Sequence, residues 1–243
     1  MQLLKAETSA TYSVPSTITR AEATAIGKQS ALSLGVFAQS SSGNRLTVNL
    51  APLDISSTAV TENGTSRSVG IYSDVNSSVS AHGGTIVSSA HSKNGIGEAF
   101  GAMSQNNSSV TLGADTIVAS SESSKHLSDP RSVGIYFSDN STFNVTSNRI
   151  RVDVSATHNG DVFSRKVNGI YGDKNSTLTM NDADISVREI NSTPDKSGAA
   201  GIHLFTASTL AMKDASIRVA AVDHEGTFAG SAIGIVTSPT SGR

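Results

Sequence analysis

Three aspartates, Asp74, Asp139 and Asp173, recur along this 243-residue chain, each just after a short apolar segment. Two carboxylates held about 5–9.5 Å apart can hydrolyse a glycosidic bond, one giving a proton and the other acting as nucleophile or base. Arg149 and Arg151, flanking Ile150, would neutralise an acidic sugar if they faced it, and are otherwise outward strand residues. Against the catalytic reading, the equivalent positions of two other segments hold Gln105 and Thr206, and an aspartate ahead of a corner commonly caps its own turn. A second set contains metal-ligating types: His91, His126, His158, Asp195 with Lys196, and His224 with Glu225. A metal needs three or four ligands converging at about 2.0–2.2 Å. These residues stand at different offsets in connections of different length, which reads as solvated loop chemistry. His82 and His203, in turn and outward positions, take the same reading. No metal and no cofactor is therefore expected. Serines abound, but no GDSGS-like nucleophile segment and no Ser/His/Asp set stands out. Phosphate-cradling GxxxxGK[ST] and calcium-binding GGxGxD segments are also missing.

Whatever chemistry exists must be positioned by a repeat. Gly35, Gly70, Gly101, Gly134, Gly169, Gly201 and Gly234 each head a short apolar segment, spaced roughly 31–35 residues apart. A period in that range marks a solenoid, in which each unit buries its apolar face against the next. Counting from each glycine, apolar pairs follow at +9 and +11: Val79 and Ala81, Val110 and Leu112, Phe143 and Val145, Leu178 and Met180, Leu210 and Met212. Isoleucine then stands at +16 as Ile86, Ile117, Ile150, Ile185 and Ile217. Alternation with polar residues gives the period of two that a half-buried strand requires. Each coil thus carries three short strands in a fixed block from glycine to isoleucine. A lateral loop of variable length follows, shortest from Ile86 to Gly101 and longest from Ile150 to Gly169. The coil from Gly35 departs from this, its best matches being Leu46, Val48 and Ile55 after a short insertion. Ile18 stands as far ahead of Gly35 as Ile117 stands ahead of Gly134, and reads as the third strand of an earlier coil.

Helical repeats do not fit, because the apolar runs are three to five residues long and broken by NSS, NST, GG and SG turn segments. The expected fold is all-β: a single-stranded parallel β-helix of six to seven coils, each roughly 31–35 residues long. Its boundaries are 1–17 as a partial coil or irregular lead-in, 18–236 as the helix and 237–243 as an unstructured end. At +6 stand Asn76, Asn107, Asn140 and Asn175, a residue that tolerates the left-handed conformation of a sharp corner. Stacked in register, their amides are expected to bond up the column as a ladder. Their N-x-Ser/Thr context matches a glycosylation acceptor, but it recurs because the corner recurs. At +2 an outward column is expected: Phe37, Tyr72, Met103, Tyr136, Tyr171, His203 and Val236.

Composition narrows the function classes. Net charge is −2 with 16% charged residues, so there is no electrostatic footprint for nucleic acid. Cysteine is absent, which removes disulfides and thiolate metal sites. No apolar run approaches the length of a membrane-spanning helix.

The combination GIYxxxNSTLTxxxADIxV, read as GIYGDKNSTLTMNDADISV from Gly169 to Val187 and as GIYSDVNSSVSAHGGTIVS from Gly70 to Ser88, resembles the passenger repeats of bacterial autotransporters, the pertactin-like and self-associating adhesin type. The resemblance covers roughly positions 18 to 236. It implies a right-handed β-helix, exported and shown at or released from the outer membrane. The start lacks the apolar core of a signal peptide and the SPTSGR end lacks barrel strands, so the chain is expected to be a segment of a longer passenger or an incomplete gene product. The resemblance also implies an outer-membrane barrel elsewhere in a full-length protein. The expected function is non-catalytic adhesion or self-association, with another copy or a host surface protein or glycan as partner. A carbohydrate-active β-helix, either lyase or hydrolase, and a passive stalk for a missing tip domain are the alternatives.

Overall fold

The computed structural model describes residues 4–6, 9–41, 44–123, 131–159, 166–191, 197–223, 226–227 and 230–238. Those residues form a parallel β-solenoid of about six turns with no helix among them. Strands β1 (Leu4–Ala6), β2 (Ala10–Val14) and β3 (Arg20–Gly27) make a first, partial coil. Above it lie β4 (Ser30–Ser40), β5 (Leu46–Leu50) and β6 (Asp54–Asp74), then β7 (Ser77–Ala81), β8 (Thr85–Ser104), β9 (Ser109–Leu112) and β10 (Thr116–Ser123). The stack continues through β11 (Arg131–Phe137), β12 (Thr142–Val145), β13 (Arg149–His158), β14 (Val167–Gly172) and β15 (Thr177–Asn191). It ends with β16 (Ser197–Phe205), β17 (Thr209–Val222) and β18 (Gly230–Ser238). Every strand pairs in parallel with its counterpart one coil away, so hydrogen bonds run along the rod axis and side chains stack in columns.

The seven glycines fall in one column, since their flanking residues pair in an unbroken series from Leu34 and Val69 to Ala200 and Ile233. The reason is close approach. A Cβ at Gly169 would sit 2.6 Å from the Gly201 carbonyl oxygen and collide with the Ile185 methyl of its own coil. Gly35, Gly70, Gly101, Gly134 and Gly201 meet the matching side chains Ile55, Ile86, Ile117, Val152 and Ile217 in the same way. A β-branched side chain on the third strand therefore fills the space that a first-strand side chain would occupy.

The column facing the glycines corrects the sequence reading at one place. Ile86 pairs with Ile117 and Ile185 with Ile217, but between them stands Val152, not Ile150. Ile150 is buried opposite Ala183. The turn from Val145 to Val152 is two residues longer than the turns from Leu112 to Ile117 and from Met180 to Ile185. The block of this coil accordingly runs from Gly134 to Val152, and its connection begins after Val152. In the coil from Gly35 it is Val48 and Leu50 that pair with Val79 and Ala81, while Leu46 faces Ser77. The whole insertion therefore precedes Val48. In the first coil Ala21 takes the isoleucine position against Ile55, and Ile18 lies in the preceding turn, 46% exposed.

The lateral loops also need correction. β6 and β8 run unbroken through the connection, pairing from Ile55 and Ile86 to Ser73 and Ser104. The connections from Ile55 to Gly70 and from Ile86 to Gly101 thus carry no loop, because extended backbone covers the distance and keeps its amides paired.

Candidate binding groove at the strand bend

Along the first strand of each coil the inward and outward alternation slips at the glycine. In the coil from Gly134, Ser132, Ile135 and Phe137 are buried inward, whereas Val133 and Tyr136 both face outward. With no side chain to accommodate, the glycine lets the strand bend, and residues at −1 and +2 converge on the concave side. Val69, Phe100 and Val133 form a small apolar cluster there with Leu34, Tyr72, Met103, Tyr136 and Tyr171, separate from the main core. The +2 residues stand in register from Phe37 to Val236. Tyr136 and Tyr171 stack with planes 2° apart and centroids 5.3 Å apart, and Phe37 lies 5.1 Å from Tyr72. Phe100 meets Tyr136 edge to face at 5.7 Å. These contacts are the favoured offset and edge arrangements of aromatic pairs.

Between the coils of Gly134 and Gly201 the bend opens into a cavity of about 340 Å³. Val133 and buried Asn168 form its floor, Tyr136, Tyr171, His203 and Phe205 one wall, and Arg131 and Lys166 the other. His203 is only 5% exposed, with Phe205 at 4.4 Å and Tyr171 at 5.5 Å, so the solvated reading of this histidine does not hold. Burial first and Asp173 second push the Tyr171 hydroxyl up to about 12, and burial with Asp74 pushes Tyr72 up as well. Both of these phenols are proton donors at neutral pH. The sequence reading found the +2 column but missed Arg131, Lys166 and Asn168. Apolar residues at both −1 and +2 were the available signal, since a strand of strict period two would put them on opposite faces.

The three aspartates serve their own corners. Asp74 accepts from the Val75 amide at 3.0 Å, Gln39 at 3.1 Å and Asn106 at 2.7 Å. Asp173 caps the Lys174 amide at 2.8 Å. Asp139 accepts from Ser138 Oγ at 2.8 Å and pairs with Lys174 Nζ at 2.9 Å. Burial would raise the Asp139 carboxyl, but Lys174 and Ser138 together hold it below the usual range. A general acid needs a shift in the opposite direction. Arg149 binds Asp184 through Nε and Nη2, each at 2.6 Å, and Arg151 binds Asp153 at 2.6 Å. Both arginines are thus outward and neutralised by strand neighbours.

The asparagines stand at the corner with φ between 53° and 60°, and the residue before each is also left-handed, including Val75 at 42° and Lys174 at 52°. What climbs this column is backbone. The amides of Asn76, Asn107, Asn140 and Asn175 donate to Asn106, Asp139, Lys174 and Thr206 one coil on. Among the described residues no side-chain amide ladder joins the four, because the doubly left-handed corner already aligns main-chain donors and acceptors along the axis. Buried serines that follow hold the corner, Ser77 Oγ donating to Ala38, Ser108 to Ser73 and Ser141 to Ser104, and the partly buried Ser208 after Ala207 donates likewise to Gly172, all at 2.8–3.0 Å.

The remaining histidines divide. His91 pairs with Glu122 at 2.9 Å on the surface, and His82 is exposed beside Ser80. His158 is not a solvated loop residue, because β13 continues its inward alternation through Val154 and Ala156. Its Nε2 lies 2.8 Å from Glu189, both fully buried, and Glu189 also accepts from the Gly198 amide. His126, Asp195, Lys196, His224 and Glu225 lie outside the described residues. No group of three metal-ligating side chains occurs among the described residues. No helix there is long and apolar enough to cross a membrane, which says nothing of β-barrels.

Comparison with known proteins does not add a relative: no family model, no curated protein and no solved structure matches the chain. What is established is the class, a parallel β-solenoid.

Proposed function

We propose that this chain is a non-catalytic rod, displayed at a cell surface or released outside the cell, whose lateral surface mediates adhesion or self-association. The observation that carries the reading is the division of labour within each coil. The repeated polar residues of the corner are consumed in holding the coils together, and of the acids that could have been catalytic, Asp74 and Asp173 cap turns while Asp139 is held by Ser138 and Lys174. What varies from coil to coil is the outward columns and the bend, an extended surface of the kind solenoids use for binding. The repeat resemblance to autotransporter passengers supports display in this setting, with an outer-membrane barrel supplied by a longer protein.

The test is display of residues 1–243 on bacteria that do not otherwise aggregate. Clumping or attachment to a cell surface is the expected result, and neither would leave a passive stalk. Incubation with neutral and acidic polysaccharides should release no new reducing ends or unsaturated products. Turnover lost on replacing Asp139 and Asp173 would overturn the non-catalytic reading.

A further inference from the structure

We infer that the cavity at Arg131, Tyr136 and Tyr171 binds an acidic polysaccharide, a chain of uronic-acid sugars laid along the rod axis with a carboxylate on Arg131. This rests on the lateral surface being the binding surface, though not on display at a cell.

Arg131 carries the charge complementarity. Glu98 stands in register between Arg67 and Arg131, and it is Arg67 that binds it, at 2.7 Å. Arg131 is half-buried and makes no ion pair among the described residues. Its guanidinium faces a groove floored by Val133 and walled by aromatic rings, where a charge is poorly screened and an anion is held more firmly than at an open surface. The planar fork of arginine matches a carboxylate. Spacing selects sugar over peptide. The columns repeat every ~4.8 Å, close to the advance of one sugar residue in an extended chain. A peptide strand advances ~3.3 Å per residue and drifts out of step with the columns. The lining suits a sugar as well, because its ring presents apolar C–H faces and hydroxyls together. Val133 and Phe205 meet the first, while the Tyr136 and Tyr171 hydroxyls meet the second. A cavity of about 340 Å³ is at the small end of ligand sites and accommodates part of a chain whose remainder continues along the bend.

The test is titration calorimetry of the whole chain with galacturonate oligomers of increasing length, the same oligomers with carboxyls reduced to alcohols, polyglutamate and inorganic sulfate. Affinity should rise with length up to roughly three sugars, one for each coil contributing Tyr136, Tyr171 and His203, and then level off. Arg131→Gln should weaken binding about tenfold or more, the loss expected of one charge-assisted hydrogen bond. Tyr171→Phe, which keeps the stack and removes the hydroxyl, should weaken it less, and Arg218→Gln elsewhere on the rod should leave it unchanged. Absence of heat with every oligomer, equal binding of the reduced oligomers, or full affinity in Arg131→Gln overturns the proposal. Equal binding of polyglutamate overturns it in favour of an acidic peptide, and sulfate binding as tightly as the oligomers overturns it in favour of a simple anion contact. Cells displaying Arg131→Gln that still clump, with uronide binding absent from the wild-type protein, would defeat this inference and leave the adhesive reading standing.

Discussion

One methyl group at Gly169 tests why glycine recurs. Its φ is not left-handed, so conformational freedom is not the requirement; space is. Gly169→Ala should cost at least about 2 kcal/mol by overpacking against Ile185 and the Gly201 carbonyl, measured by denaturant unfolding. Gly234, which has nothing within 4 Å of an added Cβ, should accept alanine with little change. A pH effect belongs at Asp139. Its folded pKa lies below the ordinary 3.8, so the Lys174 and Ser138 bonds stabilise the fold above that value and are lost as pH falls through the lowered one. The melting temperature should therefore fall more steeply in the wild type than in Asp139→Asn between about pH 5 and about pH 2. Parallel curves would remove Asp139 from the acid response.

At the scale of the element, the corner is held by a hydroxyl more than by an amide. Ser108 is 3% exposed and its Oγ reaches both Ser73 and Gln105 carbonyls, at 2.8 and 2.6 Å. Ser108→Ala should cost about 1 kcal/mol, because it removes a buried hydroxyl that donates to the corner backbone and accepts from the Gln105 amide, whereas Asn107→Gly should cost much less at a left-handed residue. Sequence reading reached the asparagine because its type is enriched at such corners. It could not reach the preceding residue: Val75, Lys174 and Thr206 carry no left-handed signature and are set there by the coils above and below. The segment Arg149-Ile150-Arg151-Val152 shows the same limit. Both Ile150 and Val152 point inward, so a shift of two residues preserves the buried face, and only the facing glycine decides between them. The strands and glycine column were legible from local period. The groove was not, because Arg131 and Lys166 become its wall only when successive coils align.

For the whole molecule, stacking makes stability a sum of neighbour terms. Leu178, Met180, Ile185 and Val187 are 0–4% exposed, while Leu210, Met212, Ile217 and Val219 one coil later are only partly buried. Hydrogen exchange should therefore be slowest in β8 to β15 and progressively faster toward β17 and β18 and toward β1 and β2. Uniform protection along the chain would contradict a neighbour-only core. The incompletely covered last coil should also make the isolated chain associate end to end as concentration rises, read by sedimentation.

Because nearly all coil-to-coil hydrogen bonds lie along the rod axis, the molecule has a particular mechanics. A load applied between its two ends peels the outermost coil from its neighbour, strand by strand, and leaves those beneath unstrained. Each coil released adds roughly 110 Å of slack at ~3.4 Å per residue, so a pulled rod should lengthen in even steps, not snap. As a tether it would be a shock absorber whose increments are set by the same period that places the glycines.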